Sequence, residues 1–216
     1  MKILNLYAGI GGNRKNWGDS HEITAVEYKP EIAKIYQDFY PNDRVVIGDA
    51  HQYLLEHFKE FDFIWSSPPC PSHSRLRKVL SMASGAKAIY PDMKLYEEIL
   101  FLRGYFKNNW VVENVISWYE PLIEPQILQR HYFWSNKKLY PAIFGEVKKF
   151  KKDRIGITGG RNMKEGEAIK IMEKNLGIDL SEVKTSKKRL LLRNCVNPEL
   201  GLHIFQEAHR DYKTLF

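Results

Sequence analysis

The stretch Ile3-Leu4-Asn5-Leu6-Tyr7-Ala8-Gly9-Ile10-Gly11-Gly12 decides how the chain is read. Ile3 to Tyr7 predicts a buried strand, and the glycines behind it predict a tight turn. Outward from there, Ile23 to Val26 predicts a second strand ending on Glu27. Pro30 opens a helix in which Ile32, Ala33, Ile35, Tyr36 and Phe39 recur at helical spacing, closed by Pro41-Asn42. Arg44 to Ile47 reads as a third strand ending in Gly48-Asp49, followed by a helix near His51 to Phe58. Phe61 to Trp65 reads as a fourth strand, broken by Ser66-Ser67-Pro68-Pro69-Cys70. A polar loop with Gly85, a helix from Asp92 to Phe106 and a strand from Trp110 to Val112 complete the alternation. That order predicts an α/β fold with a doubly wound, mostly parallel sheet.

Later segments are less regular. Tyr132 to Trp134 and Ala142 to Phe144 read as late strands, and Glu165 to Asn175 as a helix. The expected division is a domain over residues 1–140, a short basic lobe over 141–188, and a segment over 189–216 that returns to the sheet. The lobe is expected from charge. Of the chain's net +7, Lys137 to Arg193 holds 16 basic and 7 acidic residues, an excess of nine. Such a segment is either a solvated face or a phosphate-binding surface.

At 216 residues, with 44% hydrophobic and 27% charged residues, the chain has the composition of an ordinary globular domain. No apolar run reaches the roughly 18–20 residues needed to span a bilayer, and the start lacks a cleavable signal pattern, so a cytoplasmic protein without a membrane partner is expected. Two cysteines, Cys70 and Cys195, are too few for a disulfide framework or a four-cysteine zinc site. No metal is expected.

In open parallel sheets, ligands bind at the carboxyl ends of the strands. Glu27, Asp49, Cys70 and Glu113 all fall there on this reading. The turn Tyr7-Ala8-Gly9-Ile10-Gly11-Gly12 would let backbone pass close to a ligand, and Glu27 is spaced to accept from ribose hydroxyls. Asp49 would reach an adenine amino group. Those features suit NAD as well as S-adenosylmethionine. Cys70 separates the two, because two prolines hold it on stiff backbone at the crevice mouth as a positioned nucleophile, with His73, Arg75, Arg77 and Lys78 expected to favour its thiolate. Glu113 leaves an apolar strand and is expected to have a raised pKa. Asn114 orients it or caps the next segment. Cys195 reads as core.

These residues resemble the C5-cytosine DNA methyltransferase family over nearly the whole chain. The cofactor turn is Asn5 to Gly12, the nucleophile motif Ser67-Pro68-Pro69-Cys70, the acidic motif Glu113-Asn114-Val115, and the late helix start Arg193-Asn194-Cys195-Val196-Asn197-Pro198. The resemblance implies S-adenosylmethionine as cofactor, bound by Tyr7, Ala8, Gly9, Gly11, Gly12, Glu27, Tyr28, Asp49, Ala50, Pro68 and Asn194. It implies Cys70, Glu113 and Arg130 as the catalytic set. Nucleic acid would meet Ser72, His73, Arg75, Arg77 and Lys78 in a closing loop, and Lys148, Lys149, Lys151, Lys152 and Arg161 in the lobe. Duplex DNA is the expected partner of a monomer, in a restriction–modification setting, with tRNA as the alternative and a catalytically silent nucleic-acid-binding subunit as a further one. Three departures stand out. Pro71 follows the cysteine, which with Ser72-His73-Ser74-Arg75 resembles the tRNA-methylating branch. Gln129-Arg130-His131-Tyr132-Phe133-Trp134 replaces a pair of alternating arginines, and the recognition region is short.

Overall fold

The computed structural model describes residues 1–75, 78–79, 87–141 and 164–210. At its centre lies β1 (Lys2–Leu6), whose Ile3, Leu4 and Leu6 have no exposed surface, as a strand paired on both edges and covered on both faces requires. It pairs in parallel with β2 (Glu22–Glu27) on one side and β4 (Phe63–Ser66) on the other. β3 (Arg44–Ile47) extends the sheet beyond β2, and β5 (Asn109–Val115) extends it beyond β4. β7 (His131–Ser135) runs antiparallel to β5, and β6 (Gln126–Leu128) pairs with β7 at the edge. The resulting sheet of seven strands has the order β3-β2-β1-β4-β5-β7-β6. This is the α/β, mostly parallel architecture expected.

The helices cover both faces because alternate strand residues feed two cores. Leu4, Leu6, Ile64, Trp110 and Val112 pack against α2 (Ala50–His57) and α3 (Lys94–Tyr105). Ile3, Ile23, Phe63, Trp65 and Val111 pack against α6 (Pro198–His209) through Leu200, Ile204, Phe205 and Ala208. Each such apolar side chain contributes about 1.5–3 kcal/mol by its removal from water. Asn197 caps α6 by accepting from the Glu199 and Leu200 amides, with Pro198 at the first helical position. α1 (Pro30–Phe39) likewise begins on a proline, and its Ala33, Ile35 and Tyr36 face inward.

Several boundaries depart from the sequence reading. β4 starts at Phe63, since Phe61 is displaced by a short 3₁₀ turn over Phe58–Glu60. β1 ends at Leu6, because Tyr7 turns into the left-handed region at φ 55°. β5 continues to Val115, held by β7, so Glu113 lies inside a strand opposite Phe133 rather than after one. The helix expected at Glu165 to Asn175 is α4 (Glu165–Leu176), which with α5 (Lys188–Arg193) forms a core around Ile10, Ile35, Ile178, Leu180, Leu191 and Leu192. The described end of the expected lobe, residues 164–188, is therefore packed on the glycine turn and α1, because its apolar residues need a partner and α1 offers one. The expected strand Ala142 to Phe144, Gly85, and Arg77, Lys148, Lys149, Lys151, Lys152 and Arg161 lie outside the described residues. No helix among the described residues is long and apolar enough to cross a membrane.

Candidate active site

Register lines the site up. Leu6 is level with Val26 and Ser66, and Ser66 with Val112. The next residue on each strand path is Tyr7, Glu27, Ser67 and Glu113, so one row at the carboxyl edge of the sheet carries all four.

On the β1–β2 side, most polar groups are matched by the protein itself. The Glu27 carboxylate accepts from the Gly9 amide at 3.1 Å and the Lys29 amide at 3.0 Å, bending the glycine turn toward β2. Tyr28 beside it is 71% exposed and presents a free ring face. Asp49 is first a helix cap: it accepts from the His51 and Gln52 amides, and its second oxygen lies 3.4 Å from the Lys94 ammonium. Burial is the largest single influence and raises its pKa, but the Gln52 and His51 amides and Lys94 together outweigh it and hold the carboxyl below the ordinary range. Ala50 and Ala8 are buried behind this edge.

The glycines divide by role, which corrects the expectation that all three admit a ligand. Gly9 (φ 56°) has open space where a Cβ would stand. At Gly11 (φ 80°) a Cβ would sit 2.3 Å from the Tyr40 ring, and at Gly12 2.7 Å from the Val196 carbonyl. These two are glycines so that α1 and the 194–197 segment can close on the turn. Asn194 is exposed and ends α5, its amide donating to carbonyls of that helix.

The sequence reading missed Glu98. Its carboxylate, fully enclosed, accepts from the Tyr7 hydroxyl at 2.5 Å and the Ser66 hydroxyl at 2.6 Å, and meets His51 Nδ1 at 3.0 Å. It thus ties β1, β4, α2 and α3 together under the row. The hydrogen bond to Glu98 raises the His51 pKa, and burial followed by Glu98 raises that of Tyr7. The signal was present: Glu98 falls on the same helical face as Leu95, Ile99 and Leu102, where an acid is out of place unless it has partners. Arg14 was missed as well. It is buried with Asp43, at 2.9 and 3.1 Å, and Tyr36 donates to the same carboxylate, which anchors the end of the glycine turn.

On the β4–β5 side the polar groups are poorly matched. Glu113 is buried, with Ser67 as a hydrogen-bond partner and His131 Nε2 at 3.6 Å, beyond hydrogen-bonding range. Burial raises its pKa, the His131 charge and Ser67 only opposing that effect. His131 Nδ1 is buried without a partner. Asn114 donates to the Pro68 carbonyl at 3.0 Å, so it fixes the Pro-Pro-Cys turn rather than Glu113. Arg130, expected in the catalytic set, is exposed at the turn before β7, and His131 takes the place against Glu113. β7 begins at His131, so the histidine is held in the strand beside β5 while Arg130 stays in the exposed turn.

Cys70 is half-buried, and its thiol pKa is raised, by burial first and then by the Glu113 charge, with Arg193 opposing. This corrects the expectation that His73, Arg75 and Lys78 favour the thiolate. The loop folds back on residues 117–119: His73 is 1% exposed with Nδ1 at 2.6 Å from the Tyr119 hydroxyl, Arg75 donates to the Ser117 carbonyl, and Lys78 lies over the Trp118 ring. Burial lowers the His73 pKa, and the residue braces the loop against Tyr119. The Ser72 hydroxyl accepts from the Asp92 amide. Cys195 packs partly buried among apolar residues, its thiol pushed up to about 12 by burial, an unreactive state.

The model of the C-5 cytosine-specific DNA methylase family matches residues 1–100, which include the glycine turn, Glu27 and Cys70. That match spans a little under half of the chain. The family implies S-adenosylmethionine as cofactor. Among curated proteins none matches the chain. Among solved structures, a variant of Spodoptera frugiperda DNMT2 is similar at 27% identity over 53% of this chain and 35% of its own, with a TM-score of 0.39. A methyltransferase of Entamoeba histolytica is similar at 16% identity over 53% of this chain and 38% of its own, with a TM-score of 0.35. A prophage-encoded putative DNA modification methyltransferase of E. coli is similar at 15% identity over 62% and 46%, with a TM-score of 0.42. In each case the matched region is less than half of the solved chain. The methylase match stops before Glu113, so the carboxylate enters the site through the sheet register alone.

Proposed function

We propose that the protein methylates C5 of a flipped-out cytosine in DNA through a covalent adduct on Cys70. The observation that carries this reading is the pairing of Cys70, in the turn after β4, with Glu113 in the neighbouring β5, both desolvated and the Glu113 charge felt at Cys70. The β1–β2 side fits S-adenosylmethionine: Glu27 for the ribose diol, the exposed Tyr28 ring for the adenine face, Asp49 for its amino group, and the open side of Gly9 for close approach. When bound, that cofactor supplies the methyl group delivered to C5.

The residues of the chain do the rest. The Cys70 sulfur, its thiol proton passed to solvent, bonds to C6 of the base while Glu113, whose acid form burial favours, gives its proton to N3. C5 is thereby left electron-rich. After C5 is methylated, solvent water takes the C5 proton, the C5–C6 double bond re-forms as the C6–S bond breaks, the N3 proton returns to Glu113, and the Cys70 thiolate is released. Asn114 keeps the Pro68 turn, and hence Cys70, in register with Glu113 throughout. The base must leave its stack to reach this row.

The test is methyl transfer from labelled S-adenosylmethionine to duplex DNA and to a tRNA transcript side by side, with bisulfite-type sequencing of the product. Label at C5 of cytosine in the duplex is expected. Label in the tRNA alone would overturn the DNA assignment, and binding of NAD without S-adenosylmethionine would overturn the methyl-transfer reading itself.

A further inference from the structure

A cationic feature outside the Cys70–Glu113 pair is not used by that chemistry. Between the start of α4 and α5 lies an open cleft of about 420 Å³, lined by Glu165, Ser186, Lys187, Arg189, Leu190 and Arg193. Three of these are cations and one is an acid. Elsewhere on the surface Lys34 pairs with Asp38 and Lys94 with Asp49. Among the described residues Lys187, Arg189 and Arg193 form no ion pair. Three like charges converging on one concavity repel one another, and a polyanion bound there relieves the repulsion.

The position of the cleft narrows the polyanion. Arg193 ends α5, and the residues after it close on Gly12 of the glycine turn. The Arg193 charge is also felt at Cys70, and Arg193 lines the same cleft as Lys187 and Arg189. An anion seated on Lys187 and Arg189 would be continuous with whatever presents its base to Cys70.

We infer that this cleft grips the phosphodiester backbone of the strand whose cytosine enters the site, with Lys187 and Arg189 on phosphates beside the target nucleotide. The inference rests on the methyl-transfer reading and adds a phosphate-binding surface built into the α4–α5 layer. Serine, lysine and arginine donors suit phosphate oxygens, and contacts of this kind position a strand without reading its sequence.

The test measures binding of a labelled short duplex and of a labelled tRNA transcript to the whole chain by fluorescence anisotropy over a salt series. The variant Lys187→Ala/Arg189→Ala is compared with Arg103→Ala/Lys107→Ala, which removes the same charge near the amino ends of the strands. Retained S-adenosylmethionine binding by both variants verifies the fold. The cleft variant is expected to weaken duplex binding at least about tenfold and to flatten the log–log salt slope by about 1.8, the value for two phosphates. The control should change the slope by less than half of that, and Glu165→Gln should tighten binding about two- to threefold. A cleft variant indistinguishable from the control overturns the inference and leaves methyl transfer standing. The same flattening on tRNA alone upholds the phosphodiester contact and overturns DNA as substrate. A wild-type chain that binds S-adenosylmethionine but neither nucleic acid overturns both.

Discussion

The two halves of the crevice treat their polar groups in opposite ways. On the β1–β2 side Glu27, Asp49 and Glu98 are met by backbone amides, hydroxyls and a histidine, and Arg14 and Asp43 close a buried pair beneath the turn. On the β4–β5 side Glu113 and Cys70 are held away from water with little compensation, and His131 keeps a buried nitrogen unmatched. The first half is preformed scaffold. The second stores free energy in groups whose charged forms the fold disfavours, which is what an incoming base can relieve.

Substitution should therefore cost stability on one side and activity on the other. The largest effect expected is from Arg14→Ala, which leaves Asp43 buried without its cation and should destabilise the fold by about 3–5 kcal/mol in urea titration. A loss below about 1 kcal/mol would mean that the pair is not a support of the turn.

Next comes the floor of the cofactor half. Glu98→Gln weakens the bonds from Tyr7 and His51 and should lower S-adenosylmethionine affinity by about 1–3 kcal/mol in calorimetry. Glu27→Ala is expected in the same range. Unchanged binding in both would remove the row from the cofactor site.

Glu113→Gln is the converse case. A buried carboxyl with a raised folded-state pKa contributes its stability below the unfolded pKa and loses it as pH rises through the folded value. The glutamine variant should thus match wild type in acid and become more stable at higher pH, by about 2–4 °C in melting temperature for each kcal/mol gained. Its methyl transfer should fall by about 10²–10⁴-fold. A variant less stable at pH 8 would show that the charged form of Glu113 supports the fold.

The smallest effect concerns the thiol. Because the Glu113 charge raises the Cys70 pKa and Arg193 lowers it, iodoacetamide should label Cys70 several-fold faster in Glu113→Gln and several-fold slower in Arg193→Ala at one pH near 8. Equal rates in the two variants would separate Cys70 from both residues.

How much of this could be read from sequence follows the range of the interactions. The parallel strands and their crossover helices are written in local periodicity, and Glu27, Asp49, Cys70 and Glu113 were all placed at the carboxyl edge from it. The length of β5 was not legible, because Glu113 to Val115 are held in the strand by β7, a partner that local pattern does not reveal. β6 is three residues long and leaves no period to detect. Gly11 and Gly12 looked like ligand cradles, and only the approach of Tyr40 and Val196 explains them. Arg130 and His131 are adjacent, and where β7 begins decides which one lies against Glu113. The loop cations suggest an activated thiol, yet the fold-back on residues 117–119 puts Arg75 and Lys78 on protein contacts.

The central claim is that Cys70 bonds to the base while Glu113 serves its ring nitrogen. A duplex carrying 5-fluorocytosine tests it most directly, since fluorine at C5 cannot leave as a proton does and the C6–S bond is trapped. With S-adenosylmethionine present, a denaturing gel and peptide mass spectrometry should show a covalent adduct on the peptide containing Cys70, absent in Cys70→Ser and slowed in Glu113→Gln. An adduct of equal yield in Cys70→Ser, or one mapped to Cys195, would contradict the account.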